Sequence, residues 1–458
     1  MNINHNYIIS TWNLSSIKNI DFNKTTISNI NGIPTLDLYL TNNIENCLLC
    51  ESDGIIILGT KKQTIKHVLS NGSYAEVIFH RRKFKCPWCV RTYYECLGEF
   101  LSAKGISIYL ELAILESIKN LSLTYKMIAK TYNVSDTFVR DVFDKHVNVH
   151  PLRLPEVLSI DEIYARKLTK TKYCCVLMDP MNNKIIDILY SRRKDELVPY
   201  FSRKSKEEKS VVKYFICDLN DTYRSTAYRY LRNITVAADS FHVIKNLGDE
   251  FRKIRIRVMK FHEEMRNQTM EYWLLKKFHW MLEKNIDDVK KEYYEFRKWG
   301  MCLSKHQILT YMLEADEELA RAYLLKETYR DFNRYYKIVS SEDRIYVEQR
   351  LDELIDAFIK TQSPELRKFG YTLSNWRLEI INSFIYINGW RLSNSKAENY
   401  NGQIKKLMSI SCGFTNFERT RARLIYSINK DYPFALSKKY PSRNAKKKPR
   451  GKYKKRKQ

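Results

Sequence analysis

The period of the hydrophobic positions changes several times along the chain, and each change predicts an element boundary. Short apolar runs come first, Gly54-Ile-Ile-Ile-Leu58 and Tyr74-Ala-Glu-Val-Ile-Phe79, with turns at Ser52-Asp53-Gly54 and Asn71-Gly72. Runs of this length between turn residues predict strands. Residues 1–40 are polar, Asn-rich and weakly patterned, and predict a short strand-bearing arm. From Ile106 the spacing turns helical, with Tyr109, Leu110, Ala113 and Ile114 following at three and four residues. A second helical stretch, Leu123 to Phe143, is interrupted at Asn133-Val-Ser135 and predicts a helix-turn-helix. Ala129 is small where two helices would cross, and Asn133 tolerates a left-handed turn. Ser135 is placed to cap the second helix, while Val134, Val139 and Val142 face inward.

Between residues 155 and 240 strands alternate with helices. The predicted strands are Val157–Asp161, Tyr173–Met178, Ile185–Tyr190, Val211–Cys217 and Ile234–Ala238, with helices over Asp195–Lys204 and Tyr223–Leu231. A meander followed by parallel strands with intervening helices gives a mixed five-stranded sheet in which strands one and four are neighbours. Residues 243–390 are long, charged and helical in period, with few Gly or Pro, and predict an all-α insertion.

Charge narrows the function classes. The 458 residues carry 79 Lys plus Arg against 52 Asp plus Glu, a net +27. Twelve basic and no acidic residues fall in 437–458, a basic tail expected to be disordered, and the rest of the chain keeps +15. That balance favours a polyanionic partner, nucleic acid first. Apolar residues make up 44% and aromatics 13%, which excludes a mostly disordered chain. Neither a secretory signal nor an apolar run long enough for a membrane is present, so a cytoplasmic, nucleoid-associated protein with no membrane partner is expected.

Ten cysteines without an export signal suggest metal or thiol chemistry. Cys47-x-x-Cys50 and Cys86-Pro-Trp-Cys89 lie 35 residues apart, each at a predicted strand end. Two such knuckles can close a tetrahedral zinc-thiolate site and staple a sheet that has little core of its own. Four thiolates leave no open position, so this zinc is structural. The helix-turn-helix places Thr137 and Arg140 toward a DNA major groove.

Three acids end elements that converge. Asp161 ends strand one, Asp218 ends strand four, and Glu398 lies on a later helix. Taken singly, a strand-end Asp is more often a turn or cap residue. Side by side, such acids hold hard divalent cations, and two Mg(II) or Mn(II) ions can activate water and stabilise the leaving oxygen of a phosphodiester. On the Glu398 helix, Asn401 and Lys405 share its face and would complete a phosphate- and DNA-contacting surface. The plainer role for Glu398 is a capping box with Ser395.

Four ordered motifs carry a family likeness: Ser159-Ile-Asp-Glu-Ile163, Ile216-Cys-Asp-Leu-Asn-Asp-Thr-Tyr223, Ala238-Asp-Ser-Phe-His-Val-Ile-Lys245 and Ala397-Glu-Asn-Tyr-Asn-Gly-Gln-Ile-Lys405. Together with His80–Cys89, Gly413–Phe417 and Arg419–Arg423, they resemble bacterial insertion-sequence transposases of the ISL-three family over roughly 45–430. The resemblance implies a ribonuclease H-like domain with an Asp-Asp-Glu triad, split by a helical insertion before the Glu. It also implies Mg(II)-dependent cleavage and strand transfer on double-stranded DNA, at terminal inverted repeats and at the target. Pairing two DNA ends implies a homodimer or higher on DNA as the expected assembly. Asp218 and Asp239 both remain candidates for the second acid, with strand order favouring Asp218. Asp239-Ser-Phe-His242 resembles a Cys/Asp-x-x-His element of several transposase families, giving His242 an accessory role beside its plainer one at a helix start.

The expected architecture is therefore α/β. It comprises an arm (1–40), a zinc ribbon (41–98), a helix-turn-helix (99–150), a first catalytic part (151–250), an all-α insertion (251–384), a second catalytic part (385–436) and the tail (437–458). A catalytically silent DNA-binding regulator derived from a transposase is the alternative, separable by whether DNA is cut.

Overall fold

The computed structural model describes residues 5–41, 46–165, 169–263, 269–410 and 416–431. The expected basic tail lies outside them. Two compact units form, one of residues 1–150 with 404–458 and one of residues 151–403.

In the first unit α1 (His5–Thr11) precedes seven strands: β1 (Thr26–Ile30), β2 (Ile33–Leu38), β3 (Ile56–Val68), β4 (Tyr74–Lys85), β5 (Thr92–Tyr94), β6 (Leu101–Ala103) and β7 (Ile106–Ser107). They make one sheet, ordered β1-β2-β4-β3-β7-β6, with β5 on β4. Asn31 (φ 52°) and Gly32 (φ 81°) are both left-handed, the backbone a two-residue hairpin turn requires. The described residues 5–40 are not a separate arm, and the ribbon does not lack a core. β2 pairs in parallel with β4, and Leu36 and Leu38 join Ile8, Trp12, Leu14, Ile65, Val77 and Phe79 in one cluster. The alternation Leu36-Asp-Leu38 presents one apolar face, and only a partner far along the chain reveals it.

His67 is sealed inside this core, its ring nitrogens 2.9 Å from Ser107 Oγ and from the Trp12 carbonyl. Burial lowers its pKa from 6.5 to about 4, against the raising effect of the Trp12 carbonyl. The unfolded chain therefore takes up this proton first. The contribution of the neutral ring is complete above the unfolded value and is lost as pH falls toward 4, by about 3 kcal/mol in all. Denaturant unfolding of His67→Gln should show a flatter loss of stability between pH 7 and 4 than the parent. An unchanged slope would contradict this.

Three helices follow: α2 (Ile108–Ile118), α3 (Tyr125–Thr131) and α4 (Asp136–His146). Asn133 is left-handed at φ 48°, and Ser135 Oγ accepts from Phe138 N at 3.1 Å to cap α4. Ala129, Val139 and Val142 are buried, whereas Val134 is only half-buried. The C-terminal helix Phe417–Ile428 packs here, which corrects its expected place in the second catalytic part. Tyr426 Oη donates to the Leu115 carbonyl at 3.2 Å, Ser427 Oγ to Ile118 at 2.8 Å, and Arg419 pairs with Asp144 at 2.6 Å. Arg423 is 1% exposed, donates to the Leu123 carbonyl and lies over the Tyr125 ring. Three short helices expose apolar flanks, and Leu424, Ile425 and Tyr426 cover them.

The second unit is built on β8 (Val157–Tyr164), β9 (Tyr173–Asp179), β10 (Lys184–Leu189), β11 (Tyr214–Cys217) and β12 (Thr235–Ala238), ordered β10-β9-β8-β11-β12. β8 to β10 form an antiparallel meander, and β8, β11 and β12 run parallel. Helices Lys194–Ser202 and Lys206–Val211 carry the chain from β10 to β11, and α5 (Asp221–Tyr230) from β11 to β12. From α6 (Ser240–Glu263) onward the described residues of 251–384 are mainly helical but not all-α. Tyr293–Phe296 and Met301–Ser304 pair as a hairpin, because aromatic and sulfur-rich runs flank the left-handed Gly300 (φ 61°). Helix packing and sheet share one continuous core, from Leu158 and Phe215 to Phe332 and Phe369.

Candidate active site

Alternation along the three parallel strands sorts their side chains onto two faces. Leu158, Ile160, Phe215, Cys217, Val236 and Ala238 join the large core. Val157, Ile216 and Ala237 point the other way and pack with Leu392 and the hairpin residues Ile387 and Trp390. The register aligns Ser159 with Ile216 and Ile216 with Ala237. Two residues further along each chain stand Asp161, Asp218 and Asp239. They therefore continue the second face at one level, on adjacent strands about 4.8 Å apart, with Asp218 in the middle. The bond from Asp239 N to the Cys217 carbonyl, 2.7 Å, carries the ladder to this level.

The three carboxylates differ in what they touch. Asp239 is 1% exposed and fully engaged: Oδ1 accepts from Asn394 N at 3.1 Å, and Oδ2 lies 2.8 Å from His242 Nδ1. Asp161 is 7% exposed, accepting from Glu162 N and from Asn401 Nδ2, each at 2.6 Å. Asp218 Oδ1 is buried with no hydrogen-bond partner among the described residues. Burial, then the charges of Glu162, Asp161 and Asp239 against that of His242, push the Asp218 carboxyl up to about 7. Burial likewise raises Asp161, against the Glu162 N–H and the charge of His242. For His242, burial opposes protonation, but the Asp239 hydrogen bond and the surrounding carboxylates prevail and raise its pKa. An orphaned, buried carboxylate oxygen between two further aspartates is a site that lacks positive charge. A hard divalent cation fits that donor set.

Glu398 lies in α7 (Ser395–Ile410), and its side chain falls outside what is described. Its neighbours reach the row. Asn394 is fully buried and donates through Nδ2 to the Ile160 carbonyl at 3.1 Å. Asn401, expected on a DNA-facing surface with Lys405, is instead 6% exposed and bonded to Asp161. Lys405, four residues on, is exposed. The helix face they share in sequence spacing is divided by what covers it: Asn401 lies on the side packed against β8.

Glu162, one residue past Asp161, was not singled out by sequence reasoning. It points off the aspartate face and accepts from Arg192 at 2.6 Å, Tyr223 Oη at 2.9 Å and Asn220 Nδ2 at 3.4 Å. Its only signal was its place in the Asp-Glu pair.

In the first unit Cys47, Cys50, Cys86 and Cys89 bring their sulfurs within 4.8 Å of one another. Among the described residues no other group of three or more potential ligands is that tight. The separations Cys47–Cys89, 3.8 Å, and Cys50–Cys86, 3.5 Å, match the roughly 3.8 Å between ligands of a tetrahedral zinc-thiolate centre. Leu49 N and Cys89 N each donate to a cysteine sulfur at 3.4 Å, as in a metal-binding knuckle. A four-cysteine cluster of this geometry can bind structural zinc. On α4, Thr137 is exposed and Arg140 folds back onto Asp136 Oδ2 at 3.0 Å and Thr137 Oγ1 at 3.2 Å.

The family model for ISL-three transposases, described as a transposase, matches residues 158–424, more than half of the chain. The chain belongs to the ISL-three transposase family. Among curated proteins the comparison finds no match. The matched stretch of this transposase-family chain includes all three aspartates, His242, Asn394, Glu398 and Asn401. No described helix is long and apolar enough to cross a membrane.

Proposed function

We propose that this chain is a DNA transposase whose second unit is a ribonuclease H-like catalytic domain cutting and joining strands at the ends of its element. The observation that carries the reading is the aspartate row, with the orphaned Asp218 oxygen at its centre, inside the transposase-family match. Asp161 and Asp218 would hold divalent metal together with Glu398, and Asp239 would serve as an anchor, since its oxygens are already committed to Asn394 and His242. Two Mg(II) ions, when bound, would activate the attacking oxygen and stabilise the leaving one. The protein's own part is to hold the acids ready and largely dehydrated. Asn401 and the Glu162 N–H fix Asp161. His242 balances part of the negative charge before metal arrives.

DNA recognition is assigned to the first unit, through α4 and the zinc ribbon, on a chain of net +27. Thr137 and Arg140 would read bases, Arg140 exchanging its Asp136 contact for the DNA. Replacing both by Ala should weaken binding to the element's ends by about 1–3 kcal/mol for each base no longer read and leave binding to random DNA nearly unchanged. Gel-shift titration against both DNAs checks this, and equal losses on both would remove α4 as the reading element. The enzyme reading itself is tested by incubating the protein with its flanking end sequences and Mg(II). Nicks at the ends, followed by joining of the free 3′ hydroxyl to a target, are expected. End binding with no strand scission would contradict it.

A further inference from the structure

The amide of Asn401 is half used. Its nitrogen donates to Asp161 Oδ2 at 2.6 Å, while its oxygen is buried and has no partner among the described residues. Leaving such an acceptor dry and unpaired forfeits the hydrogen bonds it makes with water in the unfolded chain. Asp218 Oδ1, on the strand beside Asp161, is in the same condition. Two orphan acceptors flanking one carboxylate call for a ligand that brings both positive charge and O–H donors. A hydrated divalent cation has both, whereas an anion would add to the negative charge of the row.

We infer that Asn401 is a positioning residue of the metal site. Its N–H fixes the Asp161 carboxylate, and its oxygen accepts a hydrogen bond from water in the cation's shell. This rests on the reading of Asp161 and Asp218 as metal ligands. It also gives a physical reason for an amide, and not a third carboxylate, at this place. An amide donates and accepts at once, whereas a carboxylate against Asp161 would only repel it.

The test is Mn(II) binding to the full, zinc-loaded chain without DNA, followed by the electron paramagnetic resonance of free Mn(II). Asn401→Ala is expected to weaken Mn(II) affinity by about tenfold or more, the usual effect of losing a group that orients a metal ligand. Tyr400→Phe loses only the bond to the Asn183 carbonyl and should bind as the parent does. Asn401→Asp keeps the size and supplies oxygen alone. It loses the N–H that fixes Asp161 and should bind Mn(II) more weakly than the parent; parental binding in Asn401→Asp would overturn the role of Asn401 even if Asn401→Ala does not fold. Unchanged affinity in Asn401→Ala, with binding lost in Asp161→Ala and Asp218→Ala, would overturn the role of Asn401 and leave the metal site standing; the orphan oxygen would then hold an ordinary buried water. Parental binding in both aspartate variants would instead overturn the metal site.

Discussion

Asp161→Ala and Asp218→Ala are each expected to lower strand cleavage by about 10³-fold or more while leaving binding to the element's ends within a few-fold of the parent. Loss of one metal ligand forfeits several kcal/mol of transition-state stabilisation, and each 1.36 kcal/mol is a factor of ten in rate. Binding should survive because recognition is assigned to the other unit, and because removing a buried carboxylate from a crowded acidic site relieves repulsion. Glu398→Ala should behave in the same way. Asp239→Ala and His242→Ala should fall between these variants and the parent. Their contacts are with each other and with Asn394, so they act on the geometry of the row. Single-turnover cleavage of end-containing duplexes, beside gel-shift titration, separates the two effects. Full cleavage by Asp218→Ala with a dead Asp239→Ala would exchange their roles.

Removing the zinc should have the second large effect, and the structure limits its reach. Chelation empties the four-cysteine site, and Cys86→Ser with Cys89→Ser leaves two thiolates, too few to close it. The knuckles and the outer ends of β3, β4 and β5 depend on that site. Leu48, Leu49, Ile56, Ile57 and Trp88 there are exposed and supply no core of their own. The inner half of the sheet rests on Leu36, Ile65, Val77 and Phe79 and should stay folded. Hydrogen exchange should therefore accelerate over 46–58 and 84–94 but not over 64–68 and 74–79. End binding should also fall, because the ribbon is proposed to share in DNA recognition. Uniform loss of protection across the unit would show that zinc nucleates the whole sheet.

Features that obey local rules were readable before any coordinates. A largely apolar run stopped by an acid marks the ends of β11 and β12 before Asp218 and Asp239, whereas β8 does not end at Asp161 as expected but keeps its pairing to β9 as far as Tyr164. Asn133 and Ser135 mark a turn and a cap by backbone chemistry alone, and both stand where the structure has them. Decisions made by distant partners were not readable. Leu36 and Leu38 need β4 to become core. The helix Phe417–Ile428 meets a helix some 300 residues earlier, through Tyr426 and Ser427. Asn401 and Lys405 have compatible helical spacing, yet one is buried against Asp161 and the other exposed. Spacing sets which residues share a face, and packing sets which part of that face sees water.

The central claim is that Asp218, and not Asp239, ligates the catalytic metal beside Asp161. Replacing each in turn by cysteine and comparing cleavage in Mg(II) with cleavage in Mn(II) tests it most directly, since the softer ion accepts sulfur better. Asp218→Cys should be inactive in Mg(II) and partly restored by Mn(II), while Asp239→Cys shows no metal-dependent gain. Restoration by Mn(II) at Asp239→Cys, with Asp218→Cys dead in both metals, would contradict the account.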